Sequence, residues 1–446
     1  MAPGMAASHN MNLKILKDIE HLKRGRWHLL FRPKTLTWAL MDDLGASIFD
    51  DLIHFTDVAE VAAKFAHELD VPVMEIAQEI QRFLGVLKTK GLLGEEETPR
   101  PLVCHDFRPR SLYLHLTARC NLTCLYCYNC KERESWRNEL PYSLAKVILR
   151  QAKEMGIPTV VFTGGEPLLN PHFFEIAELA ANLGLRAVLL TNGVLIDGTK
   201  AKELAHLCDQ IVVSLDSASP MIHDRLRGTG THKRVEMAIK RLKEAGAREV
   251  VISGVITRYN QFELAKDFER YANEIGADRA VRQIYMLQGD QRDHFLTPDF
   301  QALVSQMEKD LENMIVSEMK PTPANSIWRD RCGAAFGEIA VAPDGSVYPC
   351  QGLVKPEFAA GNIIANDLAE ICKKSRILAR VRAITVDDIP KCRDCSFRYL
   401  CGGGCRALAY TVHHSLTMPL PEGYCAFNRI LAEQKLWATA LHSLAP

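Results

Sequence analysis

The chain has 446 residues, 47% of them apolar, and 54 Lys and Arg balance 54 Asp and Glu to a formal net charge of zero. That length points to two or three domains with a large core. The interspersed charges leave no basic stripe for nucleic acid, and no run of about 18 apolar residues argues for a membrane span.

The opening MAPGMAASHNMNLK shows no charged segment followed by an apolar one, so no secretory signal is expected and the chain is placed in the cytoplasm. Residues 12–93 read as a small α/β unit. WHLLF (27–31) and TWALM (37–41) predict two short strands around an RPK turn. Helical periods follow through Val58, Val61, Ala62, Phe65 and Ala66, then Met74, Ile76, Ile80, Phe83, Leu84 and Leu87, with Gly91 as the stop. Strands followed by three helices give this unit a winged-helix-like order. GEEETPRP (94–101) opens a charged, proline-bearing linker that runs to residue 110.

From 111 to 290 strands alternate with helices. YLHLT (113–117), TVVFT (159–163), AVLLT (187–191), QIVVSL (210–215), VVISGVIT (250–257) and AVRQIYM (280–286) predict six strands whose continuous apolar character fits parallel strands covered on both faces. The fold class is α/β, and six such units form either a barrel or an open doubly wound sheet. Residues 291–325 read as a helical connection. The segment 326–428 is rich in Cys, Gly and Pro, so it is expected to lack a sufficient apolar core and to fold around metal. FNRILAEQKLWATALHSL predicts a helix over 429–446.

Fourteen cysteines in a reducing compartment call for metal ligation rather than disulfides. CNLTCLYC places Cys120, Cys124 and Cys127 in a C-x3-C-x2-C spacing. A closed site asks for four thiolates, so three suggest a site with one open position, although the spacing alone also fits a zinc knuckle. Further on, TGGEP (163–167), SLD (214–216), Asn192 and Thr257 lie at the ends of predicted strands, where barrel active sites gather, and RLRG (225–228) comes after them.

With these motifs the chain resembles the radical S-adenosylmethionine family. The resemblance implies a partial (β/α)6 TIM-like barrel whose triad thiolates hold a [4Fe-4S] cluster. Its open iron would bind the amino and carboxylate groups of S-adenosylmethionine, which one electron cleaves to a hydrogen-abstracting 5′-deoxyadenosyl radical. It also implies Tyr126 beside the adenine, Gly164, Gly165 and Glu166 around the methionyl ammonium, and Ser214 and Asp216 at the ribose, with Asn192 near the cofactor. Arg227 is either the partner of the cofactor carboxylate or a member of a surface ion pair.

Seven later cysteines, Cys332, Cys350, Cys392, Cys395, Cys401, Cys405 and Cys425, resemble the pattern of the SPASM domain of peptide- and protein-modifying radical enzymes, with a pair of structural zincs as the rival. By that resemblance Cys392, Cys395, Cys401 and Cys425 hold an outer auxiliary cluster, and Cys332, Cys350 and Cys405 an inner one. NSIWRD (325–330) supplies no fourth thiol to the inner set. An iron open to a precursor thiolate is expected, or completion by Cys104, Cys130, Cys208 or Cys372. The N-terminal unit resembles the precursor-recognition element of pyrroloquinoline quinone biosynthesis (PqqD-like), which takes a leader peptide as an added strand. A DNA-binding winged helix is the other reading, weakened by acids that balance its basic residues.

Together these imply a peptide maturase that installs a crosslink, a thioether in preference to a carbon–carbon or carbon–oxygen bond, in a ribosomal precursor. Two auxiliary iron–sulfur clusters and an electron donor such as flavodoxin or ferredoxin would serve it. The alternatives are a formylglycine-generating sulfatase maturase and a non-catalytic iron- or zinc-binding regulator.

Overall fold

The computed structural model of the chain describes residues 18–54, 57–93, 109–128, 139–312 and 327–442. Most of the expected linker lies outside these residues, as do Cys104, Cys130 and part of the helical connection.

Near the N-terminus, β1 (Glu20–Arg24), β2 (Trp27–Arg32) and β3 (Thr37–Asp42) form a three-stranded antiparallel sheet in the order β1-β2-β3. Sequence reading anticipates β2 and β3 but misses β1, because EHLKR is a largely exposed edge strand with one apolar residue and therefore shows no alternation. Helices Asp43–His54, Val58–Leu69 and Val73–Thr89 follow. Asp57 caps the second by accepting from the Ala59 amide at 2.8 Å.

The sheet is covered on both sides, which explains the unbroken apolar run in β2. Leu30, Ala39 and Met41 pack toward the unit's own helices, while Leu29 and Phe31 join the main core of the molecule. Phe31 stacks on Phe397 with ring centroids 6.1 Å apart. Arg24 pairs with Glu433 at 2.6 Å, and the Ser396 hydroxyl donates to Glu20 at 2.5 Å. The unit is thus docked on the cysteine-rich region although the linker and the whole barrel lie between them in sequence.

The central sheet begins with six parallel strands in sequential order: β4 (Ser111–His115), β5 (Thr159–Thr163), β6 (Arg186–Thr191), β7 (Gln210–Ser214), β8 (Val250–Ile256) and β9 (Arg279–Ile284). β9 is an edge, so the arc stays open and is a partial barrel. The other side of β4 pairs in parallel with β10 (Glu338–Val341), which continues into the antiparallel β11 (Ser346–Tyr348) and β12 (Gly361–Asn362).

This last extension corrects the reading of 326–428. Ile339, Ala340, Val341, Val347, Leu353, Leu368 and Leu378 are fully buried in the same core as the barrel. The segment borrows a hydrophobic face from β4 and so does not rely on metal alone. Its short strands hide this, since EIAV and SVY are too brief to show a period. The final helix, Glu422–His442, starts ahead of the expected residue 429, so Cys425 lies in its first turn. Among the described residues no helix is long and apolar enough to cross a membrane.

Candidate active site

The C-terminal ends of β4 to β9 converge on one cavity of about 340 Å³. Cys120, Cys124, Cys127, Tyr126, Gly164, Gly165, Asn192, Ser214 and Arg227 line it, and so do Cys332, Cys350 and Cys405. Two groups of three thiols, far apart in sequence, therefore face one space.

The loop carrying Cys120 is held by two glycines. Gly164 has φ +135°, and a Cβ there would lie 2.5 Å from the Thr117 carbonyl oxygen. The Gly165 amide donates to that oxygen at 2.7 Å, and the Glu166 amide donates to Arg119 O at 2.8 Å. The close approach of TGGE to this loop is thus a backbone requirement, additional to any contact with a cofactor.

Glu166 is fully buried and does not line the cavity. It accepts from Thr191 Oγ1 at 2.8 Å, the Asn192 amide at 2.8 Å and the Leu168 amide at 3.2 Å, which ties the ends of β5 and β6 together. Three of its roughly four acceptor sites are filled. Burial, opposed by these hydrogen bonds, pushes its carboxyl up to about 7. Asn192 then reaches the triad loop, donating from Nδ2 to Asn121 Oδ1 at 2.8 Å and lying 4.0 Å from Cys120 Sγ.

Asp216 departs from the ribose role expected of it. It is fully buried, absent from the cavity wall, and engaged through both oxygens. Oδ2 accepts from Tyr126 OH at 2.5 Å and Arg227 Nε at 2.7 Å, and Oδ1 accepts from the Val255 amide at 2.9 Å. Its work is to orient Tyr126 and Arg227, which do line the cavity. Arg227 belongs to no surface pair: it is buried, lies 5.2 Å from the Tyr126 ring centroid, and keeps further N–H donors beyond those spent on Asp216. Asp216→Ala strands that guanidinium, so a loss of about 3–5 kcal/mol of stability is expected in denaturant unfolding. A loss under 1 kcal/mol, roughly that of a surface pair, would show that water replaces the partner.

The seven later thiols separate into two sets. The Cys392 thiol is acted on by Cys401, Cys425 and Cys395, and Cys350 by Cys332 and Cys405. Burial pushes the thiols of Cys124 and Cys392 up to about 11, so metal binding there must displace protons. Cys208 and Cys372 are buried in the apolar core and do not line the cavity. Cys104 and Cys130 lie outside the described residues.

Sequence reasoning missed two charged residues here. Arg406, 2% exposed, acts on Cys332 and Cys405 of one set and on Cys392 and Cys401 of the other. Its guanidinium donates to the carbonyls of Leu416, Met418 and Gly403, while among the described residues Nε has no partner. A buried cation with an orphaned donor between two thiol sets fits anionic clusters on both sides. Glu338 is the other, a carboxylate on the cavity wall. Neither shows a spacing signal. Among the described residues no three Cys, His, Asp or Glu converge tightly enough to chelate a single ion, and thiolates that each hold a different iron need not.

Residues 114–270 match the radical SAM superfamily, 332–396 the SPASM iron-sulfur cluster-binding domain, and 28–93 coenzyme PQQ synthesis protein D (PqqD). The PqqA peptide cyclase of Gluconobacter oxydans is 31% identical over 325 residues, covering 70% of this chain and 90% of that protein. The chain belongs to the radical SAM superfamily. The AdoMet-dependent heme synthase of Methanosarcina barkeri is 28% identical over 350 residues, covering 72% of this chain and 97% of that one. Streptococcus suis SuiB bound to S-adenosylmethionine shares the fold, with a TM-score of 0.57 at 18% identity over 92% of this chain and 99% of that chain.

As a radical SAM enzyme with a SPASM domain, the protein uses a [4Fe-4S] cluster with S-adenosylmethionine, and auxiliary iron–sulfur clusters. When bound, that pair supplies one-electron cleavage of the cofactor and hydrogen-atom abstraction. The chain's part is to seat, orient and enclose them.

Proposed function

We propose that this radical SAM enzyme matures a ribosomally made precursor peptide by closing a crosslink within it. The observation that carries this reading is the docking of the N-terminal sheet, through Phe31 on Phe397, onto the unit that bears the later cysteines. A sheet of the kind that takes an added peptide strand and the cavity with two thiol sets are thereby parts of one packed body. The similarity to a PqqA peptide cyclase supports a peptide substrate.

In this reading Cys120, Cys124 and Cys127 hold the cluster that binds S-adenosylmethionine. Tyr126, Gly164, Gly165, Asn192, Ser214 and Arg227 surround the cofactor, with Glu166 behind them. Cys392, Cys395, Cys401 and Cys425 hold the outer auxiliary cluster, and Cys332, Cys350 and Cys405 the inner one. A flavodoxin or ferredoxin supplies electrons. The new bond is a thioether, carbon–carbon or carbon–oxygen link. The preference for a thioether rests on an inner iron open to a precursor thiolate.

The test uses a short peptide encoded beside this chain's gene, incubated with reduced protein and S-adenosylmethionine. Mass spectrometry is expected to show loss of two hydrogens per crosslink. Deleting residues 1–93 is expected to weaken peptide binding at least about tenfold, roughly 1.4 kcal/mol, while cofactor cleavage persists. Equal affinity for both forms would remove the recognition role. Conversion of a Cys or Ser to an aldehyde would favour the formylglycine alternative, and absence of 5′-deoxyadenosine a regulator.

A further inference from the structure

The inner thiol set has three members in a site that closes with four ligands. Glu338 begins β10, and the chain before it folds back so that the amides of Phe336, Gly337 and Glu338 all bond to the carbonyl of Gly333, next to Cys332. The Ala335 amide donates to Pro349 O at 2.7 Å, just before Cys350. This turn brings Glu338 beside both cysteines. A Cβ built on Gly333 would lie 3.8 Å from Glu338 Cδ and Oε1. Among the charges acting on the Cys350 thiol, Glu338 comes first, ahead of Cys332 and Cys405.

Glu338 is half-buried and the one carboxylate among the described residues lining the cavity. Among the described residues its side chain has no hydrogen-bond or ion-pair partner; Arg329 acts on it only at a distance. That carboxylate therefore keeps its acceptor lone pairs free for an occupant of the cavity. An arginine or lysine would suffice for charge, but none lines this part of the cavity with Glu338 except Arg227, which is held by Asp216. The groups it does share the wall with are Cys332, Cys350 and Cys405.

We propose that Glu338 is the fourth protein ligand of the inner auxiliary cluster, its carboxylate binding the iron that the three thiolates leave open. The proposal rests on the assignment of those three thiols to an inner cluster. A carboxylate carries the same unit charge as a thiolate but is a harder donor, so its replacement changes the cluster's reduction potential and spectrum. It also closes the iron that a precursor thiol would otherwise take.

The experiment uses full-length reconstituted protein in which Cys120, Cys124 and Cys127 are Ala, leaving only the auxiliary clusters, and compares Glu338 with Glu338→Gln and Glu338→Cys. Iron is counted, and electron paramagnetic resonance spectra of the reduced proteins are taken with and without cyanide, a small ligand for open iron. About eight irons and a cyanide-insensitive spectrum are expected for Glu338. Glu338→Gln is expected to shift the spectrum and make it cyanide-sensitive, or to lose about four irons that Glu338→Cys restores. A cyanide-sensitive spectrum with Glu338 in place, or spectra alike for Glu338 and Glu338→Gln, would overturn the ligand role. So would a shift produced by a Cys-bearing precursor but not by its Ser variant. About four irons with Glu338 in place would overturn the inner-cluster assignment itself, and the iron count distinguishes that failure from the others.

Discussion

Replacing Cys120, Cys124 and Cys127 together by Ala is expected to abolish formation of 5′-deoxyadenosine in anaerobic, reduced protein supplied with excess S-adenosylmethionine. Iron is expected to fall from about twelve to about eight per chain, the content of one four-iron cluster. The effect is all-or-none because the three thiols lie on one short loop and, among the described residues, no uncommitted thiol lines the cavity to replace them. Cys208 and Cys372 are in the apolar core, and the later set on the same cavity is occupied by its own metal in this reading. The remaining clusters give an internal control, since their iron shows that the variant still folds. Cofactor cleavage persisting in the triple variant would displace the radical chemistry from this loop.

The second large effect needs only one methyl group. In Gly165→Ala the new Cβ would sit 1.9 Å from the carbonyl oxygen of Arg119 and 2.8 Å from that of Ala118. Both obstacles are backbone, so no side-chain rotation relieves them, and the loop that leads into Cys120 must move. Overpacking of this kind costs about 1–3 kcal/mol. Its effect on chemistry is larger, because a displacement of about 1 Å in a positioned site costs on the order of 10²-fold in rate. Cleavage of S-adenosylmethionine is therefore expected to fall at least about 100-fold while the chain stays folded at room temperature. Gly198→Ala is the control: its Cβ meets nothing within 4 Å at the start of the helix Gly198–Leu207, and activity should be unchanged. Equal activity of the two variants would mean that the glycine pair is not what holds the triad loop.

Much of this molecule can be read from local pattern, for a definite reason. Thiolate spacing is set by covalent reach along one loop, so Cys120, Cys124 and Cys127 announce themselves without any fold. The inner barrel strands do likewise, because a strand buried on both faces must be apolar at nearly every position, as TVVFT and AVLLT are, whereas the edge strand β9, RAVRQI, has no fully buried residue. Charged β1 and the short β10 and β11 carry no such pattern, and they are among the elements that reading missed.

Roles that depend on neighbours brought from elsewhere in the chain were legible only in part. SLD marks a strand end, but nothing local says that Asp216 is sealed beneath the cavity by Tyr126 from one strand end, the Val255 amide from another and Arg227 from a helix. Glu338 carries no spacing signal in the sequence. It becomes a chemical group of interest only because the parallel pairing of β10 with β4 sets it on the wall shared with Cys332, Cys350 and Cys405. The sequence alone determines which groups can bind metal, since that is a matter of side-chain type and short-range spacing. Which of them share a cavity, and which carboxylates are spent on holding others in place, is decided by packing between segments far apart in the chain, where burial sets the cost of every unpaired charge.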